Sequence, residues 1–297
     1  MRMSKKRKRG KLRSFGVNPD GFHKSQLKFY AYLIPLGLVM VLPIVYIFVT
    51  AFKPVDELFA YPPRFYVVNP TFGNFERLFE ITAGTSVPAS RYLFNTFLTT
   101  LVRIVFNIWI SVSVGFVLSK KGFRGKNALL QINNAALMFV PAAVAIPTYF
   151  VVVFTGLSNN FLANIIPALV APTGVFLTKQ FIDQLPNALV EAAVIDGASD
   201  YTIIRRIILP LVRPALSTVT LLTFQGAWAD ATASNMYINN ETLKTFAYYM
   251  ANISTGGSVT AQGVAAAGAL IMFLPNILVF IIVQSGVMNT MAHSGIK

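Results

Sequence analysis

The sequence contains no cysteine, only two histidines and few charged residues. Charged residues make up 12% of the 297 residues, and only eleven are acidic. The lack of cysteine excludes disulfides, thiolate metal sites and cysteine nucleophiles. The two histidines, His23 and His293, lie in opposite tails, which argues against a two-histidine metal site or a Ser-His dyad. There is also no Gly-x-x-x-x-Gly-Lys-Ser/Thr phosphate loop. The sequence therefore predicts no catalytic residues and no metal site in this chain.

Hydrophobic residues make up 55% of the chain, while its charged fraction is about half the ~25% of a soluble domain. A soluble protein of this composition would aggregate, so the composition predicts an integral membrane protein. The net charge of +14 first suggests a nucleic-acid partner, but ten of the 25 Lys and Arg residues lie in the first 28 positions. A basic tail facing an anionic membrane leaflet accounts for that distribution. We therefore expect a lipid bilayer, and no nucleic acid, as the partner.

Six apolar segments are each long enough to cross a bilayer core of about 30 Å, which takes about 20 helical residues. Because backbone groups in lipid must be hydrogen-bonded internally, all six are predicted to be helices. The predicted spans are approximately residues 29–52, 92–118, 128–154, 161–182, 214–233 and 263–287. The predicted fold is an all-α membrane protein, with a transmembrane domain over 29–287 between a basic tail at 1–28 and a short tail at 288–297.

The distribution of basic residues predicts the orientation. With both termini inside, the inside segments hold 19 Lys and Arg residues and the outside segments hold five. Positively charged loops remain in the cytoplasm. Both termini and the polar loop 183–213 are therefore predicted to be cytoplasmic.

The polar loop 183–213 has the pattern of two short helices joined by a bend. A first helix is expected after Pro186, and Gly197 suits its end because glycine accepts the left-handed geometry of a C-cap. Ser199 or Asp200 can cap a second helix. That helix would carry arginines on one side and isoleucines on the other. The isoleucines are Ile203, Ile204, Ile207 and Ile208.

The first helix of this loop is apolar and small at Ala192-Ala193-Val194-Ile195. An ordinary solvated loop is one interpretation, since charged runs are usually solvated faces. The apolar stretch instead favours a helix that fits a groove on a partner.

The same loop resembles the motif of ABC importer permeases, which is Glu-Ala-Ala, three residues, Gly, nine residues, Ile, one residue, Leu-Pro. Every spacing is kept, and the matching residues are Glu191, Ala192, Ala193, Gly197, Ile207, Leu209 and Pro210. Other stretches look like the second, G-type permease subunit of the carbohydrate-uptake branch, the maltose type. These stretches are Thr50–Pro54, Ser119–Lys126, Lys179–Phe181 with Pro186, Ile195–Ser199 and Ser294–Lys297.

This resemblance implies the six-helix fold of a type I ABC importer permease, in which the loop docks on a cytoplasmic ATPase. Glu191 would make a polar contact with the ATPase, Gly197 would allow the bend, and Ala192 and Ala193 would pack into the cleft. Asp196, Ile207, Leu209 and Pro210 belong to the same coupling motif. A contact with the ATPase is also expected for residues 293–297, although fraying is the usual behaviour of a terminus.

The resemblance further implies a bacterial cytoplasmic-membrane complex with a second homologous permease, two ATPase subunits and an extracytoplasmic solute-binding protein. ATP and Mg would be bound by the ATPase subunits, so this chain would hold no cofactor and would not itself be an enzyme. An oligosaccharide is the expected cargo, with a polyamine, phosphonate or glycerol-phosphate as alternatives. A self-contained secondary transporter would need intramembrane coupling carboxylates and inverted repeats, and among the predicted spans only Asp230 qualifies.

Polar residues inside spans are costly and often functional. The candidates for a substrate path are therefore Arg103, Asn107, Gln225, Trp228 and Asp230. Alternatives are that Arg103 snorkels or pairs, that Asn107 bonds a neighbouring helix, and that Trp228 anchors the chain at an interface. Trp228-Ala229-Asp230 resembles a Trp-Asn signature of the family but departs from it, because Ala229 stands where Asn is often found.

Overall fold

The computed structural model describes residues 26–80, 87–254 and 259–294, and within these ranges it contains helices and no strands. The chain divides into two units, one up to Tyr46 and one from Ile47 onwards. The α-helices are α1 Leu27–Ala51, α2 Val55–Leu58, α3 Gly73–Glu80, α4 Ala89–Lys120, α5 Lys126–Ala136, α6 Pro141–Phe154, α7 Pro172–Asp183, α8 Asn187–Ile195, α9 Asp200–Ile203, α10 Leu209–Leu211, α11 Arg213–Trp228, α12 Thr232–Tyr237, α13 Phe246–Ser254 and α14 Val259–Ser294. Short 3₁₀ turns lie at Phe161–Asn164, Ile166–Ala168 and Glu241–Leu243, and a π-helical turn at Ile204–Ile208 joins α9 to α10.

In the part of the chain that the structure describes, three helices are long and apolar enough to cross a membrane, namely α1, α4 and the Val259–Gln284 part of α14. Three further candidates are bent pairs of helical segments. They are α5 with α6 at 115°, Phe161–Ala168 with α7 at 41°, and Asp200–Leu211 with α11 at 86°. Counting each bent pair as one span gives six, so the predicted all-helical fold is confirmed.

The third and fourth spans are each broken into two helical parts. Pro141 begins α6, and Val140 before it is extended, with φ −78° and ψ 135°. Proline disfavours the helical region for the residue that precedes it, so the third span breaks at this point. The fourth span begins as 3₁₀ turns, and α7 starts only at Pro172.

The fifth and sixth spans differ from their predicted bounds. α11 ends at Trp228, before the predicted residue 233. The Asp230 side chain accepts hydrogen bonds from the backbone N–H groups of Thr232 and Ala233, and these begin a separate helix. The sixth helix extends beyond 263–287, so most of the predicted tail 288–297 is helical up to Ser294. Residues 295–297 and the basic tail up to residue 25 lie outside the described residues.

Helix α4 packs against α7 and α11 at close range. A Cβ at Gly115 of α4 would lie 2.9 Å from Thr178 Oγ1, and one at Gly174 of α7 would lie 2.6 Å from Ser111 Oγ. The two glycines therefore let the backbones approach, as small residues do between membrane helices. The Thr178 hydroxyl donates to the Ser111 carbonyl across this contact, at 2.8 Å. The crossing holds α4 and α7 in one place, with the loop 183–213 at their common end.

Candidate functional site

The first half of the loop 183–213 is α8, which presents one face outward and one inward. Glu191 and Ala192 are exposed, and Ile195 is 85% exposed. Ala193 is buried in a cluster with Val112 and Phe116 of α4. The Ala193 side chain therefore packs within this chain, and of the two alanines of the motif only Ala192 is exposed; the contact with the ATPase stays a prediction. The outward surface of α8 includes Glu191, Ala192 and Ile195, and Val194 between them is exposed as well.

The bend after α8 has the predicted geometry. Gly197 adopts φ +77°, a left-handed conformation that glycine reaches without strain. Its N–H donates to Val194 O at 3.0 Å, and the N–H of Ala198 donates to Ala193 O at 2.9 Å. This pair of bonds is a Schellman motif. The exposed Asp196 is the C-cap residue, so the predicted stop at Gly197 is confirmed.

The second half of the loop is amphipathic, as predicted. Ser199 Oγ accepts the Thr202 N–H at 3.3 Å and caps α9. Arg205 and Arg206 are exposed on the opposite side from the buried isoleucines. The buried set is Ile203, Ile204 and Ile208, while Ile207, Leu209 and Pro210 are half-buried. Apolar burial therefore fixes this segment against the rest of the protein and leaves the arginines available.

A second polar site lies inside the helix bundle, centred on Arg103 of α4. Arg103 is only 4% exposed. Its Nε donates to the Asn164 carbonyl at 2.7 Å, and its Nη2 forms an ion pair with Asp230 Oδ2 at 2.8 Å. The other carboxylate oxygen of Asp230 accepts the N–H groups of Thr232 and Ala233 at 2.9 and 3.3 Å. The pair is therefore both charge-balanced and hydrogen-bonded, as a buried ion pair requires.

Two cavities meet at this ion pair. One has a volume of about 450 Å³ and the other about 290 Å³, and Arg103 and Asp230 line both. The larger is also lined by Asn107, Thr173 and Thr223. Its size falls in the range of small-molecule sites, which combine apolar walls with a few polar groups.

The smaller cavity has a tyrosine, Tyr237, in its wall. Burial, together with the nearby Asp230 carboxylate, raises the pKa of the Tyr237 hydroxyl above its ordinary value. The hydroxyl therefore stays neutral at physiological pH.

Asn107 lies one turn from Arg103 on the same buried face of α4. Its Nδ2 donates to Leu169 O at 3.1 Å, and its Oδ1 accepts from Ser111 Oγ at 3.3 Å. Asn107 thus bonds neighbouring parts of the protein while one side of it faces the larger cavity.

The structure separates the remaining two substrate-path candidates from these cavities. Trp228 is buried, stacks on Phe224 with ring centroids 5.5 Å apart, and donates its indole N–H to Met272 O at 3.0 Å. Gln225 is exposed and lines neither cavity. Of the five candidates, only Arg103, Asn107 and Asp230 come together.

Asn164 is a site residue that the sequence did not single out. Its carbonyl binds Arg103, and its side chain accepts from Ser234 Oγ at 3.0 Å and donates to Leu243 O at 3.0 Å. The signal was present, because Asn164 is a fully buried polar residue within a predicted span. Among the described residues, no group of three His, Cys, Asp or Glu side chains is placed to hold a metal ion.

Comparison with known proteins identifies relatives over most of the chain. Residues 107–285 match the family described as the binding-protein-dependent transport system inner membrane component. Protein LplC of Bacillus subtilis is 26% identical over 285 residues, covering 88% of this chain and 91% of LplC. The maltodextrin transport system permease protein MalD of Streptococcus pneumoniae is 26% identical over 273 residues, with 90% and 94% covered.

Two further matches extend this picture. The arabinooligosaccharides transport system permease protein AraQ of Halalkalibacterium halodurans is 27% identical over 203 residues, covering 68% of this chain and 72% of AraQ. A crystal structure of a bacterial ABC transporter involved in the import of the acidic polysaccharide alginate superposes with a TM-score of 0.78. It is 22% identical, and the match covers 90% of this chain and 99% of that one. That likeness shows a shared fold.

Proposed function

The chain belongs to the family of binding-protein-dependent transport system inner membrane components, and on this premise we propose that it is a permease subunit of an ATP-driven oligosaccharide importer. The observation that carries the proposal is the geometry of the loop 183–213. Its motif residues Glu191 and Ala192 are exposed on α8, and its motif glycine, Gly197, forms the bend that follows. The names of the relatives, which include a maltodextrin and an arabinooligosaccharides permease, support the cargo class.

The coupling role rests on the exposed surface of α8. Glu191, Ala192 and Ile195 face outward from a helix whose other side is anchored in the core. A short helix with a small apolar face and one carboxylate suits a groove on a partner protein. We assign that partner as the ATPase subunit, and Gly197 as the residue that sets the angle between α8 and the helix after it.

The Arg103–Asp230 site supports an uncharged, hydroxyl-rich cargo over an anionic one. A phosphonate or glycerol-phosphate would be attracted by an unpaired Arg103, but Asp230 balances that charge at 2.8 Å. The same pair argues against a secondary transporter, because the Asp230 carboxylate is already committed to Arg103 and to two backbone N–H groups. We propose Arg103, Asn107 and Asp230 as the polar part of the path within this subunit.

The proposed assembly contains a second homologous permease, two ATPase subunits and an extracytoplasmic solute-binding protein in a bacterial cytoplasmic membrane. The termini and the loop 183–213 would face the cytoplasm, where ATP and Mg bind to the ATPase subunits and not to this chain. The excess of basic residues in the segments assigned inside supports this orientation.

Reconstitution tests the proposal. The chain is co-expressed with its genomic neighbours for the other subunits, and uptake of labelled maltodextrins and arabinooligosaccharides into liposomes is measured with and without ATP and binding protein. Uptake should require both, and the purified chain alone should hydrolyse no ATP. Uptake driven by an ion gradient without ATP would contradict the proposal.

A further inference from the structure

Consecutive side chains at the end of α4 form hydrogen bonds with the start of the loop 183–213, which is called the coupling loop below for its proposed role. Ser119 Oγ donates to Asp183 Oδ1 at 2.6 Å. Lys120 Nζ donates to Leu185 O at 2.5 Å and to Asn187 Oδ1 at 2.8 Å. These bonds span the connection between the last residue of α7 and the first residue of α8. The beginning of α8 is thereby bonded to α4 as well as to its own preceding helix.

The lysines at and just after the end of α4 differ in how they attach this helix to the rest of the chain. Lys121 pairs with Asp200 at 2.7 Å, but the two side chains are 38% and 58% exposed, and exposed pairs contribute little. Lys126 Nζ donates to the carbonyls of Ser119 and Lys121, which folds the loop back on the helix end. Lys120 is half-buried and has two acceptors on the coupling loop. Of these three lysines, it is therefore the one that makes two bonds to the connection between α7 and α8.

The other attachments of α4 lie far along the same helix. Arg103 is 17 residues before Lys120, which is about 25 Å at 1.5 Å per residue. Further along, Asn95 Nδ2 donates to the carbonyls of Thr242 and Lys244 at 2.8 and 2.9 Å. α4 is continuous over its 32 residues and has no proline inside. One rigid helix thus bonds the coupling loop at one end, the Arg103–Asp230 pair in its middle, and residues 242–244 near its other end.

We propose that Lys120 is a positioning residue that fixes the start of α8 to α4, so that displacement of the coupling loop moves α4 and the Arg103 site with it. The inference rests on the coupling role proposed above for the loop 183–213. Without the ammonium group, Leu185 O and Asn187 Oδ1 lose their shared donor. α8 then keeps its apolar contact with α4, in which Ala193 packs with Val112 and Phe116, but loses the polar attachment at its start, so less of its displacement reaches α4.

The absence of cysteine allows a test that needs no knowledge of the cargo. In the assembled complex with its ATPase, Thr223→Cys places a single thiol in this chain, in the wall of the larger cavity. The rate of its modification by a charged methanethiosulfonate reagent is measured in liposomes, before and after trapping with ATP and vanadate. With Lys120 present, trapping should change the rate at least about fivefold, in the usual range of coupling between sites.

In Lys120→Met, whose side chain keeps an apolar stem, trapping should change the rate less than about twofold while ATP hydrolysis stays within about twofold. Lys120→Arg should restore most of the response. Arg124→Met removes one positive charge from the exposed loop that follows α4 and should leave the response intact. A full response in Lys120→Met would overturn the proposal. The proposal would also be overturned if the Lys120→Met chain lost both binding of the ATPase subunits and ATP hydrolysis, because Lys120 would then be a docking or folding residue. If the proposed function itself were wrong, the result would differ: trapping with ATP and vanadate would not change the modification rate even with Lys120 in place.

Discussion

Replacing Asp230 with Asn is expected to leave the Arg103 guanidinium buried without its counterion. An Asn side chain keeps one carbonyl oxygen for the N–H groups of Thr232 and Ala233, so the start of α12 is preserved. Its amide group has no charge to offer Arg103, which is 4% exposed and bonded otherwise to the Asn164 carbonyl. The change therefore isolates the ion pair from the other roles of this side chain.

The expected loss follows from the geometry. Unit charges 2.8 Å apart attract by about 6 kcal/mol at an effective dielectric constant of about 20. Removing one partner of a buried pair generally costs about 3–5 kcal/mol, because the remaining charge stays desolvated. Water in the adjoining cavities can reach the Asp230 side chain, which is 19% exposed. We therefore expect the lower end of that range, about 3 kcal/mol.

Equilibrium unfolding in mixed detergent, followed by tryptophan fluorescence, measures this loss. Trp228 reports close to the site because it lies two residues before Asp230. The matched set is Asp230→Asn, Arg103→Gln and the double variant, in which neither charge remains. The double variant should be more stable than the sum of the two losses predicts, by about 1–3 kcal/mol. A coupling energy near zero would refute the ion pair as a stabilising contact.

Three further predictions concern other parts of the chain. Gly197→Trp forces a bulky side chain to φ +77° and should reduce ATP-driven maltodextrin uptake severalfold. Membrane insertion, and helical content measured by circular dichroism, should stay normal. Uptake by the variant at the wild-type rate would contradict the coupling role. Gly174→Val places a Cβ 2.6 Å from a serine hydroxyl of α4 and should lower the free energy of unfolding in detergent by about 1–3 kcal/mol. In Gly226→Val the added Cβ would meet no atom within 4 Å, so this free energy should change less. Burial lowers the pKa of Lys244, but hydrogen bonds to Glu241 and to a tyrosine hydroxyl raise it overall. Its stabilising contribution is therefore present below the ordinary lysine pKa of 10.5 and is lost as the pH rises through the higher folded value. The difference in thermal midpoint between wild type and Lys244→Met should shrink across that range, and a difference that grows would contradict the sign.

Local chemistry made much of the coupling loop predictable. Gly197 stops α8 because only a residue without a Cβ adopts the left-handed cap freely, and Ser199 caps α9 because its hydroxyl reaches the N–H of Thr202. The spacing of Ile203 and Ile208 likewise placed both on the buried side. These properties depend on neighbours within a few residues, so the amino-acid order is sufficient to predict them.

Contacts between distant residues were not predictable in the same way. Arg103 and Asp230 were both recognised as costly within a membrane, but their pairing joins positions 127 residues apart. Trp228 was expected beside them, yet its position on α11 turns it toward Met272 of α14. The burial of Ala193 was not predictable either. Because α8 is apolar on more than one side, its sequence does not show which side faces inward.

By itself, then, the sequence determined the number and approximate position of the apolar spans, the motif of the loop 183–213 and the cap geometry at Gly197. Composition, charge and local backbone preference depend on residues that are close together in the sequence, so they can be predicted from it. Only the tertiary structure decided the angles between the helical parts of three spans, the burial of Ala193 and the charge balance of Arg103 by Asp230. Those features depend on which helix faces touch, and packing between helices far apart in the chain sets those faces.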